Sequence, residues 1–402
     1  MADAVRPRDQ DERLTRLAPL LAGFRERRRQ YDETASFPRA NFEELRRAGL
    51  LGSSVPAEFG GDDFWLKDFV EYYEVYERIA AADPSTAQLY QIQTHGAGML
   101  AWHATPEQRR KYLPDVVGRG LLIASVGSEA DLHAKGPENR AELRETGNGW
   151  RLSCHKHFAS LGPGADYLLV WVAVPGAGTW ADRQLYVLVP RGAPGVELID
   201  EWDTMGMRAT VSWAVKLTDF EVADDAIIGR PGAWASDPRT FTLGYVTNHL
   251  GCAEGAFALV KEYVRERPYL AQNPVIQLAV GEMSADLAVV RATLYTCARQ
   301  WEEASAGGWD PELVRRAEVL GLQALHVSKR VALDVSSRAF DVCGARASFR
   351  LFPFDMTYRD VRTFTLHHRD FDYMARVATA VLEGADKAEL GSYLAPSGSA
   401  RR

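Results

Sequence analysis

The chain has 402 residues, 46% of them hydrophobic and 25% charged, which is the balance of a globular protein and excludes a disordered or fibrous one. Its 47 lysines and arginines stand against 54 aspartates and glutamates, a net charge of −7, so no basic field is available for a nucleic-acid backbone. No run of about 18 apolar residues could span a membrane, and the charged opening MADAVRPRDQDERLTRL holds no signal-peptide core, so a cytoplasmic protein is expected.

In chain order, residues 1–120 read as an N-terminal helical domain. Leu14, Leu17, Leu20, Leu21 and Phe24 recur at helical spacing, and Phe42, Leu45 and Leu50 continue the pattern. A helix is expected over 66–81. Another begins after Asp83-Pro84-Ser85, with proline in the first turn, and a short one runs from Thr105-Pro106-Glu107 to Tyr112. The texture changes at Leu121. The segments LLIASVGSE, GWRLSCHKHFAS, DYLLVWVAV, QLYVLVPR, VELIDEW and SWAVKLTDFEV are short, β-branched and aromatic, with glycine and proline turns between them. They predict a central β domain over 121–232, a small sandwich or barrel of six or seven strands. Helical periodicity returns in 233–402. Long amphipathic segments at 241–265, 274–304 and 311–340, with a last one at 371–390, predict an antiparallel four-helix bundle. The expected class is α+β, mainly α.

Four cysteines, Cys154, Cys252, Cys297 and Cys343, are widely spaced without a C-x-x-C pair, and read as reduced packing residues. Cys154-His155-x-His157 looks metal-like. On a strand, however, residues 155 and 157 face away from 154, and no further ligands complete a set, so no metal is expected. There is no G-x-S-x-G elbow and no G-x-G-x-x-G dinucleotide loop.

The α-β-α order carries five local motifs in sequence. They are Pro56-Ala57-Glu58-Phe59-Gly60-Gly61; His155-Lys156-His157-Phe158-Ala159-Ser160 with Ala165-Asp166; Gly206-Met207-Arg208-Ala209-Thr210 with Phe220-Glu221-Val222; Tyr263-Val264-Arg265-Glu266-Arg267; and Arg359-Asp360-Val361-Arg362. Together they resemble the acyl-CoA dehydrogenase fold family over nearly the whole chain. The resemblance implies a flavin bound between the β domain and the bundle, and a homotetramer. The family's dehydrogenases commonly carry a glutamate about nine residues after the first arginine of R-D-x-R. Here that stretch reads Thr363-Phe364-Thr365-Leu366-His367-His368, with no carboxylate. R-T-x-T-L-H resembles instead the oxygenase branch, the two-component monooxygenases such as dibenzothiophene monooxygenase and the amine and amino-sugar N-oxygenases.

That branch implies reduced flavin delivered by a separate NAD(P)H:flavin reductase, O2 as co-substrate, and a C4a-hydroperoxyflavin that oxygenates nitrogen, sulfur or a ring carbon of a small molecule. Arg267 is followed by Pro268-Tyr269-Leu270-Ala271, and the late stretch Val342-Cys343-Gly344 has a single glycine. Both depart from the family's adenine-binding pattern and tilt the cofactor toward reduced FMN, with FADH2 as the alternative.

By resemblance, Ser160 lies near flavin N5 and Phe158 walls the ring. His367, or His368 in its place, meets the oxygen end, and Arg267 and Arg208 are cofactor ligands. A hydroxyl can donate or accept, and an imidazole near neutrality can move a proton. Read alone, Ser160 is equally a turn residue, His367 a helix cap and Arg208 a water-facing strand residue. His95, Tyr90 and His249, with Gln93, Thr94, Trp102 and Tyr245, are candidate substrate contacts, suiting a small polar or heteroaromatic molecule. A lone histidine such as His95 on an apolar helix is as readily a packing residue. Two other readings stay open: a dehydrogenase or oxidase with a displaced base, and a scaffold without flavin affinity.

Overall fold

Two helix starts follow from caps written in the sequence. Asp83 accepts the Ser85 N–H ahead of Pro84. Thr105 and Gln108 exchange hydrogen bonds ahead of Pro106. Each satisfies amides that the first helical turn leaves without partners. The structure is a computed structural model that describes residues 12–129, 141–147, 149–233, 237, 242–367, 370–384 and 386. It opens with helices α1 (Glu12–Leu17), α2 (Leu21–Thr34), α3 (Arg39–Arg47), α4 (Phe64–Lys67), α5 (Phe69–Ala82), α6 (Pro84–His103) and α7 (Pro106–Gly118). The last runs through Pro114, beyond the Tyr112 end expected from sequence. Leu113 and Val116 on its buried side hold that extra turn in the core.

Eight strands follow among the described residues: β1 (Ile123–Val126), β2 (Arg144–Thr146), β3 (Gly149–Ala159), β4 (Tyr167–Ala173), β5 (Gln184–Pro190), β6 (Val196–Ile199), β7 (Trp213–Val222) and β8 (Ile227–Ile228), with a helical turn α8 (Trp180–Arg183) before β5. They form two four-stranded sheets, ordered β1-β4-β5-β8 and β2-β3-β7-β6. The six strands expected from sequence are present; β2 and β8 are too short to show a period. The run LLVWVA of β4 is apolar without alternation because both its faces are covered. Leu168, Val170 and Val172 pack with Leu152, Val215 and Leu217 of the second sheet. Leu169, Trp171 and Ala173 pack with Ala97, Leu100, Leu113 and Val116 of α6 and α7.

The C-terminal helices are α9 (Thr242–Arg265), α10 (Pro268–Ala271), α11 (Pro274–Ala306), α12 (Pro311–Cys343), α13 (Phe354–Phe364) and α14 (Asp370–Glu383). The four long segments read from sequence are α9, α11, α12 and α14. The addition is α13, which carries R-D-x-R and packs on α9 and α12 through Phe354, Thr357, Val361 and Phe364. Gly244 brings α9 down onto α6, where a Cβ would meet the Gln91 side chain at 1.8 Å. All four cysteines are free thiols, and Cys252, Cys297 and Cys343 are buried. No helix among the described residues is long and apolar enough to cross a membrane.

Candidate active site

The site begins with an irregularity in β3. Strict alternation along Leu152, Cys154 and Lys156 would send Phe158 inward. The pairing with β7 instead slips between Lys156 and Ala159, and Phe158 takes φ +56°. The bulge turns Ala159 into the core and Phe158 out, where it is 62% exposed. Its ring meets Trp202 edge to face at 6.0 Å. A large aromatic held open in this way offers a flat apolar surface.

Ser160 follows directly and is buried. Its Oγ lies 2.8 Å from the Ser212 Oγ, which lies 2.7 Å from the Thr210 Oγ1. Thr210 donates to the Met207 carbonyl at 2.8 Å. The Met207 N–H in turn donates to Asp360 Oδ1 on α13 at 2.6 Å, and Asp360 Oδ2 accepts from Arg28 of α2 at 2.8 Å. One hydrogen-bonded line therefore joins the second sheet, the C-terminal helices and the N-terminal helices. Gly206 permits it: a Cβ there would sit 2.2 Å from the Arg359 carbonyl oxygen. From sequence, Thr210 appears only as the last position of the Gly206–Thr210 motif and Ser212 only as the first residue of SWAVKLTDFEV, although their i, i+2 spacing around Val211 is the available signal.

A second cluster forms at the end of α13. His367 Nδ1 lies 2.8 Å from the Phe364 carbonyl oxygen, so the imidazole caps the helix. Its ring sits 4.7 Å from Phe364 and 5.5 Å from Tyr245 of α9. His249, one turn further along α9, meets Phe364 edge to face at 5.3 Å and pairs with Ser328 Oγ at 3.1 Å. Part of the His367 surface is open, but protein atoms crowd the ring and push its pKa below the ordinary histidine value, against the opposing pull of the Phe364 carbonyl. Burial pushes the Tyr245 phenol up to about 12.

The bonds described for Ser160 and His367 run to different groups, Ser212 and the Phe364 carbonyl. They reach α13 seven residues apart, at Asp360 and just past Phe364, about 10 Å along a helix axis. His368 lies outside the described residues. His95 is buried on α6, which packs on the turn 208–210. Tyr90, a candidate substrate contact from sequence, packs inside the N-terminal helices. It is fully buried, stacked on Tyr72 at 6.2 Å, with its hydroxyl 3.3 Å from Ser53, because its face of α6 looks toward α5.

Arg208 sits in a short 3-10 turn and not on a strand. Its guanidinium donates to the carbonyls of Asp32 and Thr204 at 2.8 and 2.9 Å, tying α2 to the 203–207 loop. Arg267 stacks 3.5 Å over the Tyr263 ring and donates to the Tyr263 carbonyl. It lies past the far end of α9 from Tyr245, about 30 Å along the helix. Within one chain it cannot share a ligand with His367.

The groups present fit a flavin ring. The exposed Phe158 ring supplies a flat apolar face with the Trp202 ring set perpendicular to it, and buried hydroxyls stand beside it. No group of three or more potential metal ligands is found among the described residues.

Three segments match family domains: residues 22–119 the acyl-CoA dehydrogenase N-terminal domain, 126–220 the middle domain and 243–369 the C-terminal domain. Dibenzothiophene monooxygenase of Rhodococcus erythropolis is 28% identical, over 94% of this chain and 96% of its own. The probable FMNH2-dependent monooxygenase of Pseudomonas putida is 26% identical, over 87% of this chain and 91% of its own. The fold superposes on FMN-bound dibenzothiophene monooxygenase of Paenibacillus sp. A11-2 with a TM-score of 0.84 at 27% identity, covering 92% of this chain and 97% of that one.

Proposed function

We propose, because the chain belongs to the acyl-CoA dehydrogenase family, that it works in that family's oxygenase branch: it is a flavin-dependent monooxygenase using reduced FMN and O2. The observation that carries the reading is the buried Ser160 hydroxyl beside the outturned Phe158, in a fold this close to an FMN-bound oxygenase. Reduced flavin, when bound, supplies the electrons that activate O2. Phe158 and Trp202 hold its ring, Ser160 meets its polar edge, and the neutral His367 imidazole gives or takes a hydrogen bond on the oxygen side. A separate NAD(P)H:flavin reductase supplies the cofactor. The substrate is a small heteroaromatic or sulfur-containing molecule, a class that suits Tyr245, Phe364 and His249.

The active form is a homotetramer. Tyr269, Val275, Leu278 and Val289 leave an apolar row exposed on α10 and α11, and such rows support assembly. Arg267, remote from its own chain's His367, then serves a neighbouring subunit's cofactor. Light scattering is expected to give the mass of four chains, and a monomer would refute this part of the reading.

The activity is tested by stopped-flow mixing of the protein and reduced FMN with oxygenated buffer. A transient near-ultraviolet absorbance, distinct from reduced and oxidised flavin and outliving the oxidation of free FMN, is expected. Direct reoxidation without that transient would sink the oxygenase reading and favour a dehydrogenase or oxidase, with acyl thioesters as the next substrates to try.

A further inference from the structure

The hydroxyl line behind Ser160 has a direction. Thr210 has one hydroxyl proton. The Met207 carbonyl accepts it at 2.8 Å, closer than the Thr210 amide at 3.1 Å or the Trp202 indole at 3.2 Å. In its 2.7 Å contact with Ser212, Thr210 must then accept, so the proton is Ser212's. Ser212 also has one proton, now committed to Thr210. In the 2.8 Å contact between Ser160 and Ser212, the donor is therefore Ser160. All three residues are buried, at 7%, 5% and 2% exposure for Ser160, Ser212 and Thr210, which leaves little water to reverse the order.

We propose that Thr210 and Ser212 are positioning residues that hold the Ser160 proton inward, so that Ser160 presents only lone pairs to the bound ring and selects reduced over oxidised flavin. The inference rests on the flavin reading above. A reduced isoalloxazine carries a hydrogen on N5, and an oxidised one carries a lone pair there. An acceptor beside N5 favours the first and repels the second. The anchor of the line is rigid, because the Met207 N–H is fixed by Asp360 and Asp360 by Arg28. The docking of α13 and α2 on the β domain thereby sets which redox state of the cofactor the chain retains. This suits a protein that receives its electrons already loaded on a diffusing carrier and must release that carrier once it is spent.

The test is binding, without substrate or turnover. Oxidised FMN is titrated by fluorescence and reduced FMN anaerobically, against the unaltered protein, Ser212→Ala, Thr210→Val and Ser212→Thr. Ser212→Ala and Thr210→Val each free the Ser160 proton to turn outward. Their preference for reduced FMN is expected to fall about tenfold, chiefly through tighter binding of the oxidised form, as one hydrogen bond changes sign. Ser212→Thr keeps a hydroxyl in the line and should keep the preference. An unchanged ratio in both Ser212→Ala and Thr210→Val overturns the inference while leaving the flavin reading intact. If Ser212→Ala fails to fold by circular dichroism, Thr210→Val, which keeps side-chain volume, decides alone. If the unaltered protein binds neither redox form, the flavin reading falls and this inference with it.

Discussion

Replacing Asp360 with alanine is expected to cost about 3–5 kcal/mol of stability, the usual penalty for stripping one partner from a buried ion pair. Asp360 is 3% exposed and holds two groups at once, the Arg28 guanidinium and the Met207 amide. Its loss leaves a buried cation with the nearby Asp83 carboxylate as compensation, and Asp83 already receives from Thr86 and Asn41. The loss also removes one of the bonds tying the 203–212 loop to α13, leaving the Arg359 bond to the Met205 carbonyl, and so loosens the anchor of the hydroxyl line at Ser160. Denaturant unfolding followed by tryptophan fluorescence reads the first effect, and reduced-FMN affinity reads the second. Asp360→Asn keeps the shape and the Met207 bond and should fall between. A stability loss below about 1 kcal/mol in the alanine variant would mean that the pair is dispensable.

The second large effect is on coupling. Ser160→Ala and His367→Ala should fold normally, because each removes a few polar atoms at the edge of the core. Each is expected to shift the partition from oxygenated product to H2O2 by about tenfold, the worth of one hydrogen bond to the bound reagents. The ratio of product to peroxide per reduced FMN consumed is the quantity to measure. If both variants keep full coupling, the catalytic assignment is wrong. Crowding holds the His367 pKa below its ordinary value. Any loss of coupling on protonating this imidazole should therefore have its midpoint below the ordinary histidine pKa near 6.5. A fall centred above pH 7 would assign the titration to another group.

Much of the architecture was legible because it rests on local chemistry. Asp83 and Thr105 announce their helices, and the uninterrupted LLVWVA announces a strand covered on both faces. The motif positions Ser160, Arg267 and His367 were legible only through family resemblance, and their roles still await the measurements above. What stayed hidden is what tertiary structure decides. Arg28 and Asp360 are 332 positions apart, and nothing near either residue names the other. The bulge at Phe158 reverses the alternation that a sequence reading relies on. Helix α6 is buried on nearly every side, so helical spacing alone does not tell which of its faces, including that of Tyr90, meets α5. Helix α13 was within reach of the sequence, because Phe354, Thr357, Val361 and Phe364 keep helical spacing after Pro353.

The four cysteines, three of them buried, bear on how long such a catalyst survives. A monooxygenase that uncouples makes peroxide inside its own cavity, and peroxide attacks the thiolate, not the thiol. Loss of solvent pushes the Cys154 thiol up to about 11 and the Cys343 thiol up to about 12, and raises those of Cys252 and Cys297 as well. At neutral pH, at most roughly one in ten thousand of these sulfurs is ionised. Oxidative wear then falls on a thioether. Met205 is half exposed on the loop that also carries Trp202, the neighbour of Phe158, and a methionine sulfoxide can be reduced again where a sulfonated cysteine cannot.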